Sequence, residues 1–418
     1  MSEPELDIIV YGASGFVGKL LAEYLVKNAP AGIKIGLGGR SLEKLAAVRA
    51  TLGAAASELP LVIADADDPT ALKVLAMRTR VVATTVGPYA KYGHGLAHAC
   101  AAAGTDYVDL TGEVLFHRDS IDANHDLAVS TGARIVHSCG FDSIPSDLGV
   151  HVLHKLVQAD DAGEMTDTTL VVTSLRGGIS GGTIDSLRNQ IDVSKDDVRL
   201  RKLAASPYSL SPDREREPDL GRQSDVTVVD GRKINPSLRG WKAPFFMASY
   251  NTRVVRRSNA LRDWAYGKKF KYSEVMSVGS SVISPVVAGG VALGLGALIA
   301  GLALPPTRYL LDKVLPAPGE GPSEDAQKKG HFTLDVFTVT TTGARYRSRV
   351  RAQGDPGYSA TAVMLGESAL SLAVDRAELP AGTSLPDAAG VLTPATALGD
   401  VLVERLRSAG FEISAEKL

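Results

Sequence analysis

The feature that most constrains this chain is a short apolar run that passes through a glycine turn directly into an amphipathic helix. Residues 8–11 carry no charged side chain, which is typical of a strand covered on both faces. Apolar side chains then recur with helical spacing at Val17, Leu20, Leu21, Tyr24 and Leu25. A buried strand followed at once by such a helix is the repeating unit of a parallel α/β sheet.

The same alternation continues to about residue 137. Most of the further strand candidates are separated by a segment long enough for a helix, and they are Ile33–Leu37, Leu61–Ala64, Val81–Val86, Tyr107–Asp109 and Arg134–His137. This pattern predicts an α/β fold with a doubly wound parallel sheet, and therefore a Rossmann domain over residues 1–140.

A different pattern begins near residue 165. Segments rich in Thr and Val at Thr168–Leu175, Phe332–Thr340 and Arg345–Ala352 predict strands of a largely antiparallel sheet. Residues 206–238 and 316–329 are polar and rich in Pro or Gly, so we expect loops there. We expect residues 141–354 to form an α+β domain for substrate binding and dimerisation.

The glycine turn carries the clearest chemistry in the sequence. Gly12 allows a tight turn, Gly15 lets the backbone approach a pyrophosphate, and Gly18 lets the helix pack on the sheet. Amides at the start of the helix would meet the negative charge. This context predicts a dinucleotide site formed by Gly12, Ser14, Gly15, Phe16, Val17 and Gly18.

The end of the second strand indicates which dinucleotide is bound. An NAD site needs an acidic residue there for the ribose hydroxyls, but this chain has Arg40, Ser41 and, one turn later, Lys44. An arginine pairs well with a 2′-phosphate, so the sequence predicts NADPH. Asp65, at the end of the third strand, either contacts the adenine amino group or is simply an aspartate that precedes a helix.

Two further strand ends supply candidates at the ligand crevice. Gly87 and Pro88, after the fourth strand, are expected to pass close to the nicotinamide ribose. Tyr89 is then either a hydrogen-bond donor in the crevice or a packing tyrosine. Residues 137–147 favour a structural turn over a Cys–His–Asp nucleophile. Asp142 in this turn is the candidate proton donor, provided that burial raises its pKa. We expect no metal, because no His, Cys or Asp grouping has ligand spacing.

Charge and cysteine content narrow the partners and the compartment. A net charge of −2 over 418 residues favours no nucleic acid. We expect the basic clusters at 253–257 and 268–271 to be solvated, with an acidic headgroup or carrier phosphate as the alternative. Two cysteines suit a reducing compartment. The acidic start of the chain lacks a signal pattern, so we expect a cytoplasmic protein, or one on the cytoplasmic face of a membrane.

One segment departs from the composition of a soluble domain. Residues 275–307 contain no charged side chain, and residues 286–304 are only Val, Ala, Gly, Leu and Ile. As a helix this nineteen-residue stretch would be roughly 28 Å long. Three interpretations stay open: a buried core or dimer-interface helix, a peripheral segment dipping into a membrane, and a true span. We expect a homodimer, and the small side chains would also suit a channel for an acyl chain.

Several motifs together resemble the saccharopine dehydrogenase family. They are Gly12–Gly18, Gly39–Ser41, Thr85–Tyr92, Asp109–Glu113, Cys139–Asp147, Gly354–Tyr358, Thr361–Ala362, Glu367 and Gly390–Ala395. The form of Cys139–Asp147 and the apolar insert are most similar to the bacterial trans-acting enoyl reductases. That resemblance implies reduction of a carbon–carbon double bond on a lipid or polyketide thioester presented by a synthase carrier domain. It also implies that residues 355–418 fold back onto the Rossmann domain.

The leading hypothesis is therefore an NADPH-dependent enoyl reductase of lipid biosynthesis, with Tyr89 and Asp142 as catalytic candidates. One alternative in the same broad class is a saccharopine-dehydrogenase-like oxidoreductase acting on a C–N bond. A second alternative is a membrane- or lipid-associated protein that binds NADPH without catalysing a reaction.

Overall fold

A computed structural model describes residues 4–177, 181–311, 313–315, 322–374 and 388–418. Its first sheet is entirely parallel, and its strands run across the sheet in the order β3-β2-β1-β4-β5-β6-β13. They are β1 (Leu6–Tyr11), β2 (Ile35–Gly39), β3 (Leu61–Ile63), β4 (Thr79–Thr84), β5 (Asp106–Val108), β6 (Arg134–Val136) and β13 (Gly390–Leu392). The predicted Rossmann sheet is confirmed, with one strand added beyond β6.

Helices connect these strands, as the alternating pattern predicted. Among the described residues they are α1 (Phe16–Asn28), α2 (Leu42–Thr51), α3 (Pro69–Met77), α4 (Tyr89–Tyr92), α5 (His94–Ala103) and α6 (Val114–Thr131). The order of the strands reverses between β1 and β4, because β1 pairs with β2 on one side and with β4 on the other. Parallel α/β sheets bind their ligands at this reversal, outside the carboxyl ends of the strands.

The second sheet is mixed and mostly antiparallel, in the order β14-β12-β11-β7-β10-β9-β8, with β7 and β10 as its parallel pair. Its strands are β7 (Met165–Arg176), β8 (Val229–Asp230), β9 (Trp241–Pro244), β10 (Lys271–Ser277), β11 (His331–Thr340), β12 (Arg345–Gln353) and β14 (Glu412–Lys417). The predicted antiparallel character is confirmed. Threonine pairs such as Thr168 and Thr338, whose hydroxyls lie 2.7 Å apart, cross-link its central strands.

The remaining helices surround this sheet or join it to the first. They are α7 (Ile144–Ala159), α8 (Gly181–Ser194), α9 (Val198–Ala205), α10 (Gly231–Ile234), α11 (Ala248–Leu261), α12 (Ser284–Ala303), α13 (Pro305–Leu311), α14 (Glu324–Lys329), α15 (Ser359–Ala373), α16 (Pro394–Ala397) and α17 (Gly399–Ser408). Helix α14 lies where we expected a loop, because the Ser323 hydroxyl accepts a hydrogen bond from the Ala326 amide and starts a helical turn. Residues 316–321 of that predicted loop lie outside the described residues.

Residues beyond 355 contribute to both sheets. Helix α15 lies on α1, where the Tyr24 hydroxyl donates a hydrogen bond to Glu367 and the Arg405 guanidinium donates to the other oxygen of the same carboxylate at 2.8 Å. Strand β13 then joins the first sheet and β14 joins the second. The domain boundaries at residues 140 and 355 stay predictions.

The basic cluster at 253–257 is not solvated as we expected. Arg253, Arg256 and Arg257 are all buried in α11, and Arg257 donates hydrogen bonds to the carbonyl oxygens of Leu210 and Val391, each at 2.6 Å. Backbone carbonyls that accept hydrogen bonds from a buried guanidinium offset part of its desolvation cost. These arginines therefore stabilise the packing between distant segments. In the second cluster, Lys268, Lys269 and Lys271 are exposed, as predicted.

The apolar segment forms α12, followed directly by α13. Only 11% of the apolar window of α12 is buried, so the interpretation as a buried core helix is wrong. By length and composition alone, α12 is also the one helix among the described residues that meets the criteria for crossing a membrane.

Candidate active site

The glycine turn lies against the neighbouring strand end, and this contact explains its residues. Gly12 has a φ of +87°, a conformation that side chains rarely adopt. A β-carbon there would also stand 2.6 Å from the Val86 side chain. The Thr85 hydroxyl donates to the Gly12 carbonyl oxygen at 3.3 Å. The turn between β1 and α1 is therefore fixed beside the end of β4.

The start of α1 has the form of an anion site. Gly15 is its N-cap residue and makes no side-chain cap, and the first turn contains no acidic residue. Gly15 is exposed, and a β-carbon on it would meet only the Gly12 carbonyl oxygen within 4 Å, at 3.3 Å. The free amides and the open space above Gly15 fit the pyrophosphate of a dinucleotide.

The other predicted residues of the turn differ in their surroundings. Ser14 and Val17 are half-buried beside the turn. The Phe16 ring packs edge-on against Tyr358, with ring centroids 5.1 Å apart. Phe16 therefore joins the turn to the later part of the chain, a role that the turn motif did not indicate.

The residues expected near the adenosine lie at the ends of β2 and β3. Arg40 is exposed and forms no ion pair with any described residue. The Ser41 hydroxyl caps α2 by accepting the Lys44 amide at 3.3 Å, and the Lys44 side chain is exposed. Burial raises the pKa of Tyr11 to about 12, with Asp65 adding to the rise and Arg40 opposing it. Arg40 and Asp65 thus both lie near Tyr11, at the adenosine end of the crevice.

The structure disagrees with Tyr89 as a donor to substrate. Gly87 is exposed at the crevice, whereas Pro88 and Tyr89 are buried. The Tyr89 hydroxyl donates to the Thr84 carbonyl oxygen at 3.2 Å and accepts from the Leu110 amide at 3.1 Å. Burial also raises the pKa of Tyr89 well above its usual value. With its single proton used by the backbone, Tyr89 instead fixes the ends of β4 and β5 together.

Glu113, which we did not select as a site residue, organises the same edge. Its carboxylate accepts hydrogen bonds from the amides of Tyr89 and Ala90, at 2.8 and 3.0 Å, and from the Ser186 hydroxyl at 2.7 Å. The Gln190 side chain accepts the Val114 amide one residue later, at 3.1 Å. Helix α8 is therefore held over the crevice by two hydrogen bonds. The signal in the sequence was a carboxylate shortly after a predicted strand end.

A buried network supports the turn after β6. Asp109 accepts hydrogen bonds from the Tyr107 hydroxyl at 3.0 Å and from the Ser138 amide at 2.9 Å, and it contacts His137 Nδ1 at 2.7 Å. Cys139 is fully buried, and burial raises its thiol pKa well above the usual value. A neutral, enclosed thiol is a poor nucleophile, which agrees with a structural turn at residues 137–147.

Asp142 lies in this turn, at the carboxyl edge of the sheet. None of the described residues donates a hydrogen bond to its carboxylate, and its side chain is half-buried. Burial raises the pKa of Asp142 to about 7. Its charge also contributes to the raised pKa values of Tyr89 and Tyr250, so it lies near both. A carboxyl group with this pKa can donate a proton near neutral pH. The described residues contain no group of three or more His, Cys, Asp or Glu side chains that could hold a metal ion.

A parallel Rossmann sheet, a second mixed sheet, and a titratable group at the carboxyl edge of the first are the features of an oxidoreductase that uses a nicotinamide dinucleotide. The family model described as the saccharopine dehydrogenase NADP binding domain matches residues 8–136. The chain belongs to the saccharopine dehydrogenase family and, within it, to the trans-acting enoyl reductases.

The relatives that place it there match along the whole chain. A trans-acting enoyl reductase of Mycobacterium tuberculosis is 47% identical, covering 100% of this chain and 99% of its own. That of Mycobacterium ulcerans is 46% identical with the same coverage. A second M. tuberculosis protein, whose name marks the same activity as provisional, is 52% identical over 99% of this chain and 98% of its own.

Solved structures agree with the fold. Apo saccharopine dehydrogenase (L-Glu forming) from Saccharomyces cerevisiae has a TM-score of 0.52 and 14% identity, covering 99% of this chain and 100% of that one. At that identity the likeness concerns the fold alone.

Proposed function

We propose that this protein is an NADPH-dependent enoyl reductase that acts in trans on a lipid or polyketide thioester presented by a synthase carrier domain. The names of its relatives and the match to an NADP binding domain support the reaction and the cofactor. When bound, NADPH would supply a hydride for the β-carbon of the enoyl thioester, and a proton must then reach the α-carbon.

The preference for NADPH rests on Arg40. Its guanidinium is exposed at the end of β2, forms no ion pair within the described chain, and has Lys44 one helical turn away. A bidentate contact from such an arginine to the 2′-phosphate is the arrangement that distinguishes the two dinucleotides.

Asp142 is the residue that we assign to the proton. The observation that carries this assignment is its position: a half-buried carboxyl without a hydrogen-bond donor among the described residues, at the strand edge where the nicotinamide is expected. In the protonated form it donates to the α-carbon or to the developing enolate oxygen, and it regains its proton from solvent.

The test follows NADPH absorbance with a panel of enoyl thioesters. We expect turnover by the unaltered protein, and a decrease in kcat of roughly a hundredfold or more in Asp142→Asn with little change in NADPH affinity. Asp126→Asn, an exposed aspartate on α6, is the matched control and should behave as the parent. NADPH binding without turnover of any enoyl thioester would contradict the proposal.

A further inference from the structure

The apolar hairpin, defined here as residues 282–311, presents a large apolar surface to solvent. Val282 is 96% exposed, and Val286 and Leu293 are each 77% exposed. Soluble monomers rarely expose contiguous apolar patches of this kind, which mark contact with another apolar phase. We propose that the apolar hairpin docks the protein on a membrane by inserting into one lipid leaflet.

The distribution of apolar residues around α12 favours lipid over a second copy of the chain. Within α12 only Ser284, Ala288 and Leu302 are buried, and they define one stripe against the protein. The rest of the circumference is apolar as well, and a β-carbon at Gly289, Gly290, Gly294 or Gly296 would meet nothing within 4 Å. A partner helix covers one face of a helix, whereas a helix that is apolar all round needs an apolar surrounding.

Both ends of α12 are tied to the same folded body, which argues for insertion into one leaflet and against a span. The Trp241 amide donates to the Ser284 hydroxyl at 3.1 Å. Just beyond the other end, Arg308 pairs with Asp192 of α8 at 2.7 Å. Tyr309 is 64% exposed beside Lys313, whose ammonium lies over its ring. An aromatic ring next to a basic residue is typical of the membrane–water interface.

Helix α8 connects this hairpin to the crevice. Ser186 and Gln190 hold α8 to Glu113 and Val114, while Asp192, two residues further on, holds Arg308. The hairpin and the strand edge are thus separated by one short helix. If the proposed function is right, docking on the leaflet brings a lipid-borne acyl chain to within one helix of the strand edge where the reaction occurs.

The test is flotation of the full-length protein with phosphatidylcholine vesicles. We expect the parent to float with the vesicles, and the vesicle-bound fraction of Val286→Glu/Leu293→Glu to fall roughly tenfold or more, because carboxylates are costly in hydrocarbon. Val74→Glu, on α3, replaces an exposed valine outside the hairpin and should float like the parent. Retained NADPH binding checks that the double variant is folded.

Two results would contradict membrane docking by the apolar hairpin. One is equal flotation of the parent and the double variant. The other is a parent protein that remains in the soluble fraction as a dimer while the double variant is monomeric. A separate measurement, the KM for enoyl thioesters of different chain length, tests the connection between the apolar hairpin and the crevice. The double variant should raise KM for a long-chain enoyl thioester in vesicles and leave KM for a short, soluble one unchanged; equal KM changes would refute it. If the parent reduces neither substrate, the proposed function is wrong, but flotation still tests whether the apolar hairpin docks on a membrane.

Discussion

Gly18 lies so close to Gly12 that a β-carbon on Gly18 would stand 2.1 Å from the Gly12 carbonyl oxygen. Only a hydrogen atom fits between the first turn of α1 and the loop that precedes it. The contact sets the angle at which α1 leaves the sheet, and with it the direction of the amides at the start of the helix.

Gly18→Ala is therefore expected to destabilise the whole protein, by about 2 kcal/mol or more, because the backbone must move to admit the methyl group. Gly15→Val is the comparison at the same turn, since Gly15 is exposed and a β-carbon on it would meet only the Gly12 carbonyl oxygen, at 3.3 Å. It should remain folded and lose NADPH binding. Urea unfolding and cofactor titration measure the two effects. Equal losses of stability in the two variants would contradict this division of roles.

Arg40→Ala should remove most of the preference for NADPH over NADH. A charge-assisted pair with the 2′-phosphate contributes about 1.5–3 kcal/mol, so we expect NADPH affinity to fall roughly tenfold or more and NADH affinity to change little. Arg78→Ala is a suitable control, because Arg78 pairs with Glu5 next to the amino end of β4. Competition titrations with both dinucleotides decide the matter; a parent protein without preference refutes the assignment.

Glu367→Gln should lower the free energy of unfolding by about 1–3 kcal/mol. Its nearly buried carboxylate binds both Tyr24 and Arg405, and the substitution leaves a cation that is only 19% exposed without its partner. Glu404→Gln removes an exposed carboxylate that pairs with Arg407 three residues away, and should cost less than about 0.5 kcal/mol. Thermal and urea unfolding compare the two. Similar losses of unfolding free energy in the two variants would show that the contacts of Glu367 stabilise the protein no more than a surface ion pair does.

The pH dependence of turnover tests Asp142 directly. Because burial raises its pKa to about 7, the group is protonated below that pH and able to donate. We expect kcat to fall as the pH rises through about 7, and the residual activity of Asp142→Asn to lack this step. The free energy of unfolding should also depend on pH through the Asp142 carboxyl group. The folded pKa is raised, so the parent should lose stability relative to Asp142→Asn as the pH rises from about 4 to about 7.

The parallel sheet was predictable because its strands are buried on both faces and therefore read as unbroken apolar runs. The first and last residues of each strand were harder to predict, and β2 shows why. We placed it at residues 33–37, whereas it runs from Ile35 to Gly39. Gly36 and Gly38 look like turn residues in the sequence, but in the strand they make room for the side chains of Leu6 and Ile9.

Side-chain roles were harder to predict than backbone positions. Tyr89 and Asp142 both follow strand ends, yet the tyrosine hydroxyl bonds to Thr84 and Leu110 while the carboxyl has no donor among the described residues. The buried arginines of α11 illustrate the same limit. Arg257 donates to the carbonyl oxygens of Leu210 and Val391, which lie 47 and 134 residues away in sequence and which no local pattern reveals.

Strands β13 and β14 lie only twenty residues apart, yet each forms an outer edge of a different sheet. The chain also passes between the two sheets through α7. The chain therefore crosses between the sheets three times, after β6, after β12 and after β13. A rotation of one sheet relative to the other must be accommodated in all three connections at once, which restricts it more than a single linker would.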